Sequence, residues 1–190
     1  DLCTARGIVL IFDECTSGFR ETFGGLHLKY GVEPDMAMFG KALGNGYAIT
    51  GTIGRRAVME AAQSTFISST FWTERIGPSA ALKTLEVMER ERSWDHITSM
   101  GQMLCRRWQE LADCHALSIA HNGLPALAGF SFNSTQSLAY KTLITQEMLK
   151  KGYLAATSCY LCLDHTPALL EEYLECLDTV FGLIAQCEAG

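Results

Sequence analysis

The stretch "GIVLIFDECTSGFR", residues 7–20, joins a continuous apolar run to two adjacent carboxylates. Ile8 to Phe12 contains no polar residue, a pattern typical of a strand that is covered on both faces in a parallel sheet. Asp13 and Glu14 follow directly. The stretch therefore predicts a buried strand with charged groups at its carboxyl end.

A second stretch, "PDMAMFGKALGNGYAITGTIG" (residues 34–54), repeats this arrangement with a short apolar run followed by Gly40 and Lys41. In open α/β sheets, ligands bind beyond the carboxyl ends of the strands. Asp13 and Lys41 are thus predicted to face one pocket. Each residue alone also fits a simpler interpretation, a turn residue for Asp13 and a surface amine for Lys41.

Lys41 lies between a predicted buried strand and a glycine-rich turn. This context predicts partial desolvation, which lowers the pKa of a lysine and makes its amine a nucleophile. A phosphate-binding loop needs glycine six positions before the lysine and Ser or Thr after it, but Asp35 and Ala42 occupy those places. A Schiff-base aldolase also uses a strand-end lysine, although it has no need of the carboxylate of Asp13.

The remaining pattern alternates strand and helix first and becomes helix-rich later. We predict domain 1–92, which includes a connecting helix, and a small C-terminal domain at 93–190. The other predicted elements are a strand at 48–53, helices at 54–63, 77–92, 94–112 and 138–151, short strands within 117–132, and a last helix that starts at Thr166-Pro167.

Composition narrows the classes of function. The 190 residues carry a formal net charge of −6, with 15 basic and 21 acidic residues and no basic block, so nucleic acid is not an expected partner. No apolar stretch approaches the ~18 residues of a membrane span, so a membrane is not expected either. The chain starts at Asp1 without a methionine or signal peptide, and we expect it to be a piece of a longer cytoplasmic polypeptide.

The eight cysteines do not predict a disulfide scaffold, because a chain of this length and apolar content needs no such cross-links. Cys159 and Cys162 form C-x-x-C, with His165 following. Zinc needs about four ligands, and no second pair has the required spacing. No thioredoxin-like pattern surrounds the pair, which argues against a redox role. His165 fits either a helix start or the entrance to a substrate site.

Three segments together resemble one protein family: "IFDECTSGFR", "PDMAMFGKALGNGYAITGTIG" and "STFWTERIGPSAALKTLE". They are similar to the C-terminal half of class III aminotransferases, in the branch that resembles glutamate-1-semialdehyde aminomutase. The resemblance implies pyridoxal 5'-phosphate as cofactor and usually a homodimer with shared active sites. It also implies an α/β protein of fold type I, here a partial large domain plus a small C-terminal α+β domain.

The resemblance also implies residue roles. Asp13 matches the aspartate that pairs with the pyridine nitrogen, and Lys41 matches the Schiff-base lysine. Cys15 falls where the family usually has Val or Ile against the face of the ring. Thr70 matches the threonine that reaches the cofactor phosphate from the partner subunit, with Ser69 as a substitute.

The sequence departs from the family pattern in two respects. Thr16 stands where many members have Gln, and neither the Gly/Ser-rich phosphate cup nor the stacking aromatic residue can be assigned. We expect an aminotransferase that acts on a small amino donor and a keto or aldehyde acceptor. The alternatives are an aminomutase of the glutamate-1-semialdehyde type and a catalytically incomplete binding or dimerisation module. The 190 residues alone are expected to be inactive.

Overall fold

The computed structural model describes all 190 residues, which divide into two compact units, Asp1–Asp95 and His96–Gly190. No helix is both long enough and apolar enough to cross a bilayer.

The first unit holds a three-stranded sheet in the order β1-β2-β3, with β1 and β2 parallel and β3 antiparallel to β2. Its strands are β1 (Ile11–Asp13), β2 (Met36–Phe39) and β3 (Gly51–Gly54), and its helices are α1 (Leu2–Arg6), α2 (His27–Tyr30), α3 (Arg56–Met59) and α4 (Ile76–Glu91). Two 3-10 turns, Lys41–Leu43 and Glu60–Ser64, complete this unit.

Asp35 fixes the start of the parallel pair. Its Oδ2 accepts the backbone N–H of Leu10 at 2.8 Å, and its Oδ1 lies 3.1 Å from a guanidinium nitrogen of Arg55. Asp35 directly precedes β2, Leu10 directly precedes β1 and Arg55 directly follows β3. These bonds therefore hold the three strands in register.

β1 differs from the predicted buried strand. It covers Ile11–Asp13 rather than Ile8 to Phe12, and Ile8 and Ile11 are 52% and 50% exposed. β1 pairs only with β2 and is therefore an edge strand of this sheet. The apolar run is real, but within this unit nothing covers both of its faces.

The second unit packs three helices around an antiparallel sheet in the order β4-β5-β6. The strands are β4 (Ile119–Asn122), β5 (Leu127–Phe132) and β6 (Ser158–Tyr160). The helices are α5 (Ser93–Cys114), whose first turn precedes the unit boundary, α6 (Ser137–Lys150) and α7 (Pro167–Glu188). β6 has only three residues and no apolar alternation, so the sequence did not predict it.

One apolar cluster fills this second unit, and its most enclosed members include Trp108, Phe130 and Phe181. The apolar stripe of α7 is buried, with Leu177, Phe181 and Ile184 fully inaccessible at 0% exposure. Helices that carry one apolar stripe are stabilised mainly by such burial.

Candidate active site

The site begins at the carboxyl ends of β1 and β2. Asp13 pairs in register with Met38, and the backbone N–H of Glu14 donates to the carbonyl of Met38 at 2.8 Å. Lys41 follows Met38 by three residues on the parallel neighbour. Parallel pairing therefore delivers the carboxylate and the amine to the same edge of the sheet.

Asp13 is an exposed carboxylate that is held in its ionised form. The backbone N–H of Cys15 donates to Asp13 Oδ1 at 3.0 Å, and this bond is the main cause of a pKa below the usual value of 3.8. The positive charge of Lys41 lowers the pKa of Asp13 further, although the two side chains form no direct ion pair. The edge thus carries a stable negative charge.

Lys41 has an unusual backbone. Its φ is 43°, in the left-handed region that residues with a side chain rarely adopt. Gly40 before it is extended, and the 3-10 turn begins at Lys41 itself, so the chain turns sharply at the end of β2. Such strain persists where surrounding structure imposes it, and it is concentrated at functional positions.

The amine of Lys41 donates a hydrogen bond to the hydroxyl of Thr16. Nothing in the sequence indicates this contact, because it depends on the turn that follows β1. Lys41 is exposed, so the desolvation predicted for it is not provided by this unit. The sequence expectation was wrong here because the strand before Lys41 has its partners in the sheet and no cover over its end.

Cys15 lies beside the turn at Gly40. A Cβ placed on Gly40 would lie 3.6 Å from Cys15 Sγ, an ordinary van der Waals contact. Desolvation raises the pKa of Cys15 above 9.0, and the hydrogen bond and charge of Asp13 raise it further. Cys15 therefore presents a neutral, polarisable thiol between the carboxylate and the amine segments.

Glu14 is the buried carboxylate next to Asp13. It is buried at 3% exposure, and its carboxylate accepts hydrogen bonds from the Ser17 hydroxyl and from the backbone and Nδ1 of His27, the latter two at 3.0 Å. Gly18 completes this turn, since a Cβ there would approach the Glu14 carbonyl and the Phe39 ring to 2.7 Å. Nothing in the sequence marked His27 as the partner of Glu14.

Ser69 and Thr70 are not brought to this edge. Both lie in an exposed loop before α4, where Ser69 Oγ accepts the backbone N–H of Phe71 at 3.2 Å. No hydrogen bond or ion pair joins either residue to Asp13, Cys15 or Lys41.

Glu74 binds the first backbone N–H groups of α4. Its carboxylate accepts the backbone N–H groups of Ile76 and of Gly77, the second at 3.0 Å. Gly77 itself packs closely on the chain after the 3-10 turn, because a Cβ there would lie 2.5 Å from the carbonyl of Ala48. The first amides of α4 thus already have an anionic partner.

The residues at the sheet edge fit one kind of cofactor. An amine can condense with an aldehyde, an ionised carboxylate can pair with a protonated ring nitrogen, and a neutral thiol can contact a flat ring. Asp13, Cys15 and Lys41 supply these three groups. No cluster of three or more His, Cys, Asp or Glu side chains that could hold a metal ion is present.

Comparisons with solved structures confirm the α/β fold of type I. The FumI protein of Sphingopyxis sp. MTA144, solved in its PLP internal aldimine form, superposes with a TM-score of 0.90 at 23% identity and covers 100% of this chain and 46% of its own. A transaminase solved with PLP bound gives a TM-score of 0.84 at 20% identity over 99% of this chain and 47% of its own.

Curated relatives agree in sequence. A 3-aminobutyryl-CoA aminotransferase of Cloacimonas acidaminovorans is 35% identical over 77% of this chain and 36% of its own length. A glutamate-1-semialdehyde 2,1-aminomutase of Natranaerobius thermophilus is 28% identical over 98% of this chain and 47% of its own length. The chain therefore spans less than half the length of these relatives. Since the model of the family described as aminotransferase class-III also matches residues 1–174, this chain belongs to the class III aminotransferases.

Proposed function

We propose that the protein is a pyridoxal-phosphate-dependent aminotransferase that moves an amino group from a small amino donor to a keto or aldehyde acceptor. The observation that carries this proposal is the placement of Asp13 and Lys41 at the adjacent carboxyl ends of the parallel strands β1 and β2. The lowered pKa of Asp13 keeps its carboxylate anionic, and Lys41 has a left-handed backbone. Ordinary surface residues require neither feature.

Each residue has a distinct role in this proposal. Lys41 would hold the cofactor covalently through its amine. In turnover that amine would take a proton from the substrate carbon and return it to the C4′ carbon of the cofactor. Asp13 would keep a proton on the ring nitrogen through its negative charge, and Cys15 would contact the ring. Pyridoxal phosphate, when bound, supplies the electron sink for the broken C–H bond.

The hydroxyl of Thr16 gives the amine of Lys41 a partner while the amine is free. This hydrogen bond would hold the nitrogen near the carboxyl end of β1. An amine that is positioned before substrate arrives has less conformational freedom to lose in the proton transfer.

Ser69 and Thr70 are proposed to bind the cofactor phosphate of a partner subunit in a homodimer with shared active sites. Their loop carries Phe66 and Trp72, which are 95% and 66% exposed. Exposed apolar side chains grouped in this way mark a surface that another chain covers. Eight free thiols fit a reducing cytoplasm, and residues 1–92 would supply the cofactor-binding part while 93–190 form the small domain.

An aminomutase that transfers the amino group within one molecule is the second candidate. It is favoured by the relatives named glutamate-1-semialdehyde 2,1-aminomutase and by Thr16 in the place of the usual Gln. Product analysis of the full-length protein with and without an external carbonyl acceptor separates the two. Turnover that needs no acceptor supports the aminomutase, and turnover that needs one supports the aminotransferase.

The test of the cofactor role uses borohydride reduction of the full-length protein incubated with pyridoxal phosphate. We expect the phosphopyridoxyl group on the peptide that contains Lys41, as read by mass spectrometry. The variant Lys41→Ala should lose this modification and the transfer activity.

The matched control is Lys83→Ala, because Lys83 is also exposed and holds only the surface pair with Glu86. This variant should keep both the labelled peptide and the activity. A Lys41→Ala protein that retains activity, or a label distributed over several surface lysines, would contradict the assignment. No label at all in the wild type would favour a non-catalytic binding or dimerisation module.

A further inference from the structure

The turn between β6 and α7 holds two thiols around one imidazole ring. Cys159 lies in β6, Cys162 lies in the exposed turn, and His165 precedes the first turn of α7. Sulfur-to-nitrogen distances are 3.2 Å from Cys162 Sγ to His165 Nδ1 and 3.8 Å from Cys159 Sγ to His165 Nε2. The proposed transfer reaction uses none of these three side chains.

The tautomer of His165 follows from its hydrogen bonds. The backbone N–H of Cys162 donates to Nδ1 at 3.0 Å, so Nδ1 carries the lone pair and Nε2 carries the proton of the neutral ring. The same lone pair faces Cys162 Sγ. When Nδ1 takes the proton of this exposed thiol, it releases the backbone N–H of Cys162, which lies at the surface where water can replace the ring as acceptor. A histidine that takes the proton in this way is how neighbouring cysteines become nucleophilic.

Two further bonds hold the ring in this position. The backbone N–H of His165 donates to the carbonyl of Cys162 at 3.2 Å and closes the turn. The carbonyl of His165 lies 3.0 Å from Nε2 of His96 on α5. Both bonds are made by the backbone N–H and C=O of His165, so they fix the position from which the imidazole projects.

Cys159 differs from Cys162 in its setting. It is paired with Ala128 in the sheet and is partly buried. Burial raises the pKa of Cys159 to about 11, and the charge of Cys162 contributes in the same direction. Cys159 is therefore a protonated, anchored thiol beside an exposed one, with the spacing of a C-x-x-C dithiol.

We propose that Cys162 is a site of oxidation by hydroperoxides and that Cys159 resolves the oxidised product to an intramolecular disulfide. His165 Nδ1 takes the thiol proton of Cys162, and the sulfur attacks the peroxide. The O–O bond breaks, the alcohol or water leaves with the proton from the ring, and Cys162 becomes a sulfenic acid. Cys159 then forms the S–S bond, and the S–O bond breaks with release of water.

The hydroperoxide is the only oxidant that the two steps need. Two thiols are oxidised, one hydroperoxide is reduced to an alcohol, and one water is released. The pattern around the pair is unlike thioredoxin, where the motif opens a helix, and here the activating group is a histidine instead. A zinc site does not fit, because no group of three or more His, Cys, Asp or Glu side chains is placed to hold a metal ion.

This inference is independent of the proposed transfer reaction and is tested without it. The full-length protein is treated with hydrogen peroxide, remaining thiols are alkylated, and peptides are read by mass spectrometry. Cys114 is the internal control, because it is also an exposed free thiol but lacks a sulfur-to-imidazole contact. We expect Cys162 to react about tenfold faster than Cys114 or more, and the Cys159–Cys162 peptide to lose two hydrogens.

Three variants sharpen the result. Cys159→Ser should trap Cys162 as a sulfenic acid that dimedone labels, and Cys162→Ser should leave Cys159 reduced. His165→Gln keeps an acceptor for the backbone N–H of Cys162 but cannot take up a proton, so it should slow oxidation about tenfold. Equal rates at Cys162 and Cys114 in the wild type would overturn the proposal, as would a wild type that stops at the sulfenic acid.

Discussion

The two units of this chain differ in what they enclose. In the second unit, large side chains such as Trp108 and Phe181 are fully buried in one cluster. In the first unit, the buried apolar side chains are Ala37, Phe39, Ala42 and Ala81, whereas most of its large apolar side chains are exposed. One unit closes a core by itself, and the other presents apolar surface of the kind that a further polypeptide surface covers.

The proposed site lies in the more open unit. Asp13 and Lys41 are both exposed at the sheet edge, and Lys41, with its left-handed backbone, leads into the glycine-rich turn. Exposed groups at an open edge are accessible to bound molecules and contribute little to packing. Substitutions of core side chains in the second unit should therefore lower stability, whereas substitutions of the exposed residues at this edge should lower activity.

The largest expected effect is on the core of the second unit. Phe181→Ala should lower the free energy of unfolding by about 3–5 kcal/mol, because it removes a fully buried ring that contacts Phe130 and Phe132. Urea denaturation of the full-length protein measures this. Phe181→Leu should cost clearly less, since most of the volume remains, and an equal cost for both variants would show that ring geometry rather than the cavity matters.

The second effect is on activity without a change in stability. Asp13→Asn keeps the shape of the side chain but removes the negative charge, and it should lower kcat/KM about 10²-fold, as removal of a single electrostatic group in an active site does. Because Asp13 is exposed, the melting temperature should stay unchanged. Asp164→Asn, another exposed aspartate, is the control, and similar losses in both variants would refute a specific role for Asp13.

The sequence predicted the elements whose pattern is long. The bounds of α4, α5 and α6 and the start of α7 agree with the predicted helices to within two residues, because the pattern of each helix extends over several turns. Three short elements escaped prediction. β6, α1 and α2 have three to five residues each, too few for any periodicity to be read.

The site shows the same division. Asp13 and Lys41 were selected because they stand next to strands whose pairing brings them together, and Cys15 because the family resemblance gives it a place against the ring. The structure places Asp13 and Lys41 at one edge, with Cys15 beside Gly40. The partners of these residues were not predictable. The bonds from Lys41 to Thr16 and from Glu14 to His27 depend on turn conformations that the order of residues does not specify.

The third prediction concerns pH and the buried carboxylate beneath the site. Burial by itself raises the pKa of Glu14, but the hydrogen bonds from Ser17 and from the backbone of Leu26 and His27 outweigh it, and the net pKa lies below 4.5. A carboxyl group with a lower pKa in the folded state stabilises the protein above the unfolded-state value. This stabilisation is lost as the pH falls through the folded-state value.

Glu14→Gln should therefore lower the free energy of unfolding by about 2 kcal/mol near neutral pH, because the substitution removes hydrogen bonds to a charged carboxylate. The difference from the wild type should shrink as the pH falls below 4.5. Urea denaturation at a series of pH values measures both curves. Glu89→Gln serves as the surface control, and a difference from the wild type that stays constant with pH would show that Glu14 acts by shape and not by charge.

The smallest expected effect concerns the start of α7, where a capping hydroxyl and a first-turn proline both favour the helix. Thr166 Oγ1 accepts the backbone N–H of Leu169 at 3.3 Å, and Pro167 occupies the first turn. Thr166→Ala should cost about 1 kcal/mol, because one amide loses its partner, while Thr166→Ser should be nearly neutral. Pro167→Ala leaves the cap intact and removes only the fixed φ of the first residue. If thermal unfolding shows a larger loss for Pro167→Ala than for Thr166→Ala, the proline rather than the hydroxyl determines where the last helix of the closed unit begins.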